Sequence, residues 1–318
     1  MIWLIGSRGM LGTEVAERLE AQRRHWVGTG SGDVDITNPA ALEHFITETE
    51  SKQYRSSHEA YKDPEERKIK WIINCAAYTA VDKAEDEPDQ AASVNADGAR
   101  NIARTARGHG AKLIHISTDY VFDGTADEPY TEAAAKNPSG VYGRTKSDGE
   151  DAVASAMTQY YILRTSWLYG RHGRNFVSTM LRLFNEKDSV SVVSDQSGTP
   201  TFAGDLADAI IRIIGRSEKA TSIFGRNSAP PFGIYHFSNE GRTTWLEFAR
   251  TIYELGRKKG LVSKECEITG CSTAEYGAKA PRPAYSVLDK SKISRELKIK
   301  IPSWRHSLDG FLNSLAQG

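Results

Sequence analysis

Residues 1–12 read "MIWLIGSRGMLG", and the adjoining "TEVAERLEAQRR" at 13–24 changes the period of the chain. Five apolar residues in a row suit a short strand buried on both faces. Beyond the glycines, Leu11, Val15 and Leu19 recur at the spacing of one helical face. Between strand and helix stand Gly6, Gly9 and Gly12. Glycine there permits a tight turn, a close approach of backbone to phosphate, and close packing of helix on strand. The helix start then offers unpaired N–H groups and a positive dipole end to a pyrophosphate. This strand–loop–helix unit predicts a dinucleotide site.

The same alternation continues outward. "HWVGTG" at 25–30, "WIINCAA" at 71–77, "AKLIHIST" at 111–118 and "YYILRTS" at 160–166 read as further strands. Helical stretches separate them, among them "NPAALEHFITETE" at 38–50 with Asn38 as N-cap and Pro39 in the first turn. Repeated strand–helix units predict an α/β, Rossmann-like parallel sheet with helices on both faces. Ligands of such sheets sit beyond the carboxyl ends of the strands. We expect a dinucleotide-binding domain over 1–165, with elements near 190–216 returning to it. Residues 166–318, less regular, are expected to form mainly a smaller C-terminal substrate-binding lobe. Residues 50–69, "ESKQYRSSHEAYKDPEERKI", are too polar to bury much and long for a connection. They read as a solvated extension.

Composition excludes several classes. Forty-one basic residues balance forty-one acidic ones, so no net field recruits nucleic acid. Three cysteines, Cys75, Cys266 and Cys271, form neither a disulfide framework nor a zinc spacing, which suits a reduced, cytoplasmic setting. The opening apolar run is too short for a membrane span. The eight histidines show no metal-pair spacing.

In "VYGRTK" at 141–146, Tyr142 and Lys146 stand four apart and so share a helical face. With "NCAAYTAVDKAE" at 74–85, "STDYVFDG" at 117–124 and "RTSWLYG" at 164–170, the chain resembles the dTDP-4-dehydrorhamnose reductase family of extended short-chain dehydrogenase/reductases. "NFVSTMLRL" at 175–183, "DQSGTPT" at 195–201, "GIYHFSNEG" at 233–241 and "RPAYSVLD" at 282–289 extend the resemblance over nearly the whole chain.

The resemblance implies nicotinamide-dependent reduction of the C4 ketone of dTDP-4-dehydro-6-deoxy-L-mannose to dTDP-L-rhamnose. It assigns Tyr142 as proton donor, Lys146 as its cationic tuner and nicotinamide-ribose ligand, and Thr118 as the hydroxyl that meets the reacting oxygen. Hydride arriving at a carbonyl carbon builds negative charge on oxygen, which a proton donor must meet. A phenol titrating at about 10 donates at neutral pH, and a nearby cation stabilises its phenolate. Cofactor contacts carried over are Gly6, Arg8, Gly9, Met10, Leu11 and Gly12 in the first loop, Asp35 and Ile36 beside the adenine, Ala76, Ala77 and Tyr78 after the third strand, and Tyr142 and Lys146 themselves. For the sugar nucleotide they are Thr118, Asp119, Tyr120, Trp167, Gln196 and Arg282, the arginine holding the diphosphate. Asn74 and Asn95 read as structural polar residues.

An NAD enzyme of this type often carries an acidic residue at the end of the second strand. Here Gly30 falls at that place, no repulsive carboxylate is evident, and Arg8 is available to a 2′-phosphate. NADPH is therefore the expected cofactor, with NADH as the other option. Some family members hold magnesium through glutamates; Glu14 and Glu186 fall near two such positions, but Arg305 stands where a third carboxylate would, so no metal is expected. The expected partner is the dTDP-4-keto-6-deoxy-L-hexose, with a homodimer as a further option and neither nucleic acid nor membrane. The alternatives are a reductase or epimerase of another nucleotide 4-ketosugar, and a non-catalytic dinucleotide-binding subunit like that of methionine adenosyltransferase. An intact Thr118, Tyr142 and Lys146 set argues against the last, because a binding module has no use for a proton donor.

Overall fold

The computed structural model describes residues 1–51, 67–221 and 229–317. Most of the polar stretch 50–69 lies outside the described residues. In chain order, β1 (Ile2–Ile5), α1 (Met10–Ala21), β2 (Trp26–Thr29), α2 (Pro39–Ser51) and β3 (Trp71–Asn74) form the first half of the layered core. Two short helices, α3 (Val81–Ala84) and α4 (Pro88–Ala92), run through a π turn at Ser93–Asp97 into α5 (Gly98–Gly108). Next come β4 (Lys112–Thr118), α6 (Val141–Ala156) and β5 (Tyr160–Thr165).

Six parallel strands make the central sheet, in the order β10-β5-β4-β3-β1-β2, where β10 is Gly233–His236. The chain runs from β1 outward to β2 and then returns to β3 on the other side of β1. That reversal makes the β1/β3 boundary the switch point, where a crevice opens beyond the strand ends.

Alternation along β1 explains the two covering layers. Ile2 and Leu4 face one side, where α1 packs on α8 (Ala203–Thr221) through Val15, Leu19, Leu206 and Ile210. Trp3 and Ile5 face the other, against Leu42 and Ile46 of α2, Ile102 of α5 and Val153 of α6. β10 joins the sheet edge beside β5, although it follows β5 by nearly seventy residues.

The remaining chain builds a second apolar cluster from Tyr169, Val177, Phe184, Phe248, Trp304 and Phe311. Its elements are β6 (Leu168–Tyr169), α7 (Phe176–Glu186), β7 (Ser189–Val193), β8 (Ser197–Gly198), β9 (Thr201–Phe202), β11 (Thr243–Thr244), α9 (Trp245–Lys258), β12 (Glu267–Cys271), α10 (Thr273–Tyr276), α11 (Ser291–Leu297) and α12 (Trp304–Ala316). α11 contributes Ile293 and Leu297 to the first layer instead. β7 pairs in parallel with β12, β6 with β9, and β8 meets β11 antiparallel. No helix among the described residues is long and apolar enough to cross a membrane.

Candidate active site

A cleft of about 860 Å³ opens at the switch point, and the loops after β1, β2, β3, β4 and β5 all reach it. From the first loop come Gly6, Arg8, Gly9, Met10 and Leu11. Gly6 adopts φ +79°, and a Cβ on Gly12 would meet the Gly6 carbonyl oxygen at 2.1 Å. Gly12 thus serves helix–strand packing and does not line the cleft. No side chain caps α1, so its first-turn N–H groups are left to solvent or to an anion. This cradle fits a pyrophosphate, and Ala76, Ala77, Tyr78, Asp35 and Ile36 line the cleft beside it.

The end of β2 departs from expectation. A carboxylate does stand there: Asp33 returns to Gly30, accepting the Gly30 N–H at 2.7 Å, and pairs with Arg8 at 2.9 Å. The Gly30 N–H bond and the Arg8 guanidinium hold its carboxyl below the usual range. Asp33 lies three residues past Gly30, the position that strand spacing marks for a carboxylate. The "GSGDVD" turn is the signal for it.

Thr118, Tyr142 and Lys146 all line this same cleft. Thr118 ends β4, and its hydroxyl donates to Asp119 Oδ1 at 3.0 Å and accepts the Tyr120 N–H at 3.2 Å. Tyr142 is half-buried on the first turn of α6, whose start is met by Glu85 accepting the Val141 N–H at 2.8 Å. Burial raises the Tyr142 phenol above its ordinary value, opposed by a hydrogen bond with Thr118. The Tyr120 ring meets it edge-on at 5.5 Å.

Lys146 is fully buried and donates to the Ile116 carbonyl at 2.7 Å. Burial lowers its ammonium to about 8, while Glu150 pulls the other way. Asp119 is also buried; its Oδ2 has no hydrogen-bond partner, and burial raises its carboxyl to about 7.

Two close contacts seat α6 against its neighbours. A Cβ on Gly143 would lie 2.2 Å from the Tyr120 carbonyl oxygen, and one on Gly149 2.2 Å from that of Asn95. Asn95 sits in the π turn, where its side chain bonds both backbone groups of Tyr78 and the Thr145 hydroxyl. Below the site, Glu150 accepts both Nε and Nη2 of Arg164, at 2.8 and 2.7 Å, and the Ser117 hydroxyl at 2.6 Å. All three are buried.

Of the substrate-side candidates, Asp119, Tyr120 and Trp167 line the cleft. Gln196 does not: it is buried, and its amide is taken up by Trp245 and Thr273. Arg282 stands behind the wall, donating to the Tyr120 hydroxyl at 3.3 Å and pairing with Asp82 at 2.6 Å. Arg174, absent from the sequence-based set, lines the cleft from the loop before α7. Glu14 pairs with Arg18, Glu186 with Arg182 and Arg305 with Glu247. Among the described residues, no three histidine, cysteine or carboxylate side chains gather as a metal site.

The family described as RmlD substrate binding domain matches residues 1–317. A dTDP-4-dehydrorhamnose reductase of Streptomyces griseus is 37% identical over 96% of this chain and 91% of its own. A probable dTDP-4,6-dihydroxy-2-methyloxan-3-one 4-ketoreductase of Streptomyces antibioticus is 38% identical over 97% of this chain and 93% of its own. The crystal structure of the dTDP-4-dehydrorhamnose reductase of Bacillus anthracis strain Ames in complex with NADP superposes with a TM-score of 0.84 at 36% identity, covering 98% of each chain.

Proposed function

The chain belongs to the dTDP-4-dehydrorhamnose reductase family, and from that footing we propose that it reduces the C4 ketone of dTDP-4-dehydro-6-deoxy-L-mannose to dTDP-L-rhamnose. NADPH, or NADH in its place, supplies the hydride when bound. One observation carries the reading: an uncapped glycine-loop helix and the set Thr118, Tyr142 and Lys146 open on the same cleft.

The chain's own part is positioning and proton transfer. Met10, Leu11 and the glycine loop offer backbone N–H groups to a diphosphate. Ala76 and Ala77 keep that wall thin enough for a nucleoside to lie on backbone. As charge grows on the C4 oxygen, Tyr142 gives up its phenolic proton, and the Thr118 hydroxyl, turning from Asp119, donates a second hydrogen bond. A buried phenol above its ordinary pKa arrives protonated at neutral pH, which suits an acid. Lys146, charged below about pH 8, offsets the phenolate left behind.

Mixing the protein with NADPH and dTDP-4-dehydro-6-deoxy-L-mannose, and following loss of reduced cofactor alongside the product by mass, tests this directly. Turnover in the wild type, falling by about 10²–10⁴ in Tyr142→Phe, is the expected result; no turnover of authentic substrate by the wild type overturns it. The Streptomyces antibioticus relative favours a second reading, reduction of a different dTDP-4-keto sugar. Comparing kcat/KM for the two sugars separates the readings.

A further inference from the structure

Trp167 holds an unusual conformation. Its φ is +46°, in the left-handed region that a bulky side chain rarely occupies. Such strain persists only where neighbours over-determine it. Here they do. On one side the Ser166 hydroxyl donates to the Thr199 carbonyl at 2.8 Å, and on the other the Thr201 N–H donates to the Trp167 carbonyl at 3.2 Å. The indole itself passes so near Gly198 that a Cβ there would lie 2.5 Å from its Cε2.

The indole also has a partner ring. Trp245, the first residue of α9, stacks on it with centroids 3.6 Å apart and planes 9° from parallel. Trp245 lies outside the cleft, whereas Trp167 lines it. Phe176 supports Trp245 from 4.5 Å. The Trp245 indole N–H donates to Gln196 Oε1 at 3.1 Å, and Gln196 Nε2 donates to the Thr273 hydroxyl at 3.0 Å. Thr273 in turn is fixed by Asp195, its hydroxyl donating at 2.6 Å. Trp245, Gln196, Thr273 and Asp195 each have a polar group engaged along this line, which holds Trp245 in place.

We propose that Trp245 is a positioning residue: anchored by Gln196, it sets the plane of Trp167 as the wall against which the hexose of the sugar nucleotide packs. The inference rests on the reductase reading only for the identity of that sugar. It also gives Gln196 a role consistent with its burial, since its amide acts on the cleft through two indoles and not by contact. An aromatic plane suits a pyranose because the ring's axial C–H face is apolar while its rim is polar. A wall of fixed tilt then discriminates among sugar-ring faces, while leaving the diphosphate and base to other residues.

The test compares binding of dTDP-L-rhamnose and dTDP to the full chain by calorimetry in the presence of oxidised cofactor. In Trp245→Ala, affinity for dTDP-L-rhamnose is expected to fall about three- to tenfold, with that for dTDP and for the cofactor unchanged. Trp245→Phe, which keeps a ring to stack on, should recover part of that loss. In the wild type the two parallel indoles should give an exciton couplet in circular dichroism that dTDP-L-rhamnose alters and dTDP does not. The couplet should vanish in Trp245→Phe, a variant with little reason to misfold. Equal losses for both nucleotides, or no loss for either in a folded Trp245→Ala, would overturn the proposal, as would a missing couplet in the wild type. A wild type that binds dTDP-L-rhamnose through this pair yet fails to turn over the ketone sinks the reductase reading and leaves the positioning role intact.

Discussion

The Lys146 ammonium donates to the Ile116 carbonyl at 2.7 Å, tying the helix that carries Tyr142 to the strand that ends in Thr118. A buried cation therefore joins the support of Tyr142, the proposed proton donor, to that of Thr118, besides lying four residues from the phenol.

That burial lowers the Lys146 ammonium from 10.5 to about 8. A depressed folded value means that the unfolded chain binds more protons between pH 8 and 10.5. The stability linked to this group is full above pH 10.5 and lost as pH falls through 8. Lys146→Met should then be more stable than wild type at pH 7, by about 3 kcal/mol at most, with the gap closing toward pH 10.5. Its turnover should be nearly abolished at every pH. Thermal melts and initial rates from pH 6 to 10 check both.

Tyr142→Phe removes one oxygen from a half-buried ring and leaves the Tyr120 edge contact in place. Turnover should fall by about 10²–10⁴, the usual contribution of a positioned acid. Cofactor affinity should stay within about twofold of wild type, since the cradle is built from other residues. Fluorescence titration with NADPH beside single-turnover kinetics separates the two effects.

Asp33 engages two donors beside the end of β2, the Gly30 N–H and the Arg8 guanidinium. A 2′-phosphate placed there would have to displace or share them. Asp33→Ala is expected to shift the ratio of NADPH to NADH affinities toward NADPH by about tenfold, and Arg8→Ala to shift it the other way. Dissociation constants for the two oxidised cofactors, measured without substrate, give the answer. An unchanged ratio in Arg8→Ala would strip Arg8 of any part in cofactor choice.

Arg282 meets the cleft wall through the Tyr120 hydroxyl and is braced by Asp82. Arg282→Ala should raise the sugar-nucleotide KM well above its effect on kcat. A loss confined to kcat would instead place the arginine in the transition state.

Glu150 and Arg164 are each about 1% exposed and share two hydrogen bonds. Glu150→Gln strands a buried guanidinium and should cost about 3–5 kcal/mol of stability. A denaturant midpoint within error of wild type would show that Arg164 finds another partner.

Much of this site is legible in the sequence because its signals are local. The run from Ile2 to Leu19 changes period within one unit, and Tyr142 and Lys146 share a helix face by spacing alone. Asn38 does cap α2 through its side chain, in keeping with its place before Pro39. The features that escape a sequence reading depend on chain segments meeting from afar. Gln196 has the look of a cleft residue because its loop is polar, yet it is buried against Trp245 and Thr273. The Trp167–Trp245 stack joins positions seventy-eight apart, and no periodicity encodes such a pair. The carboxylate near β2 escapes for a different reason: Asp33 reaches Gly30 by folding back three residues, whereas strand spacing points to Gly30 itself.

The tight seats of Gly143 and Gly149 have a further consequence. With the Tyr120 carbonyl against one glycine and the Asn95 carbonyl against the other, the helix is held flush to its neighbours at two points. Anyone wishing to redirect this chain toward a bulkier ketone gains nothing by enlarging either glycine, because a side chain there would collide with backbone. Room has to be made elsewhere along the cleft, beside Trp167.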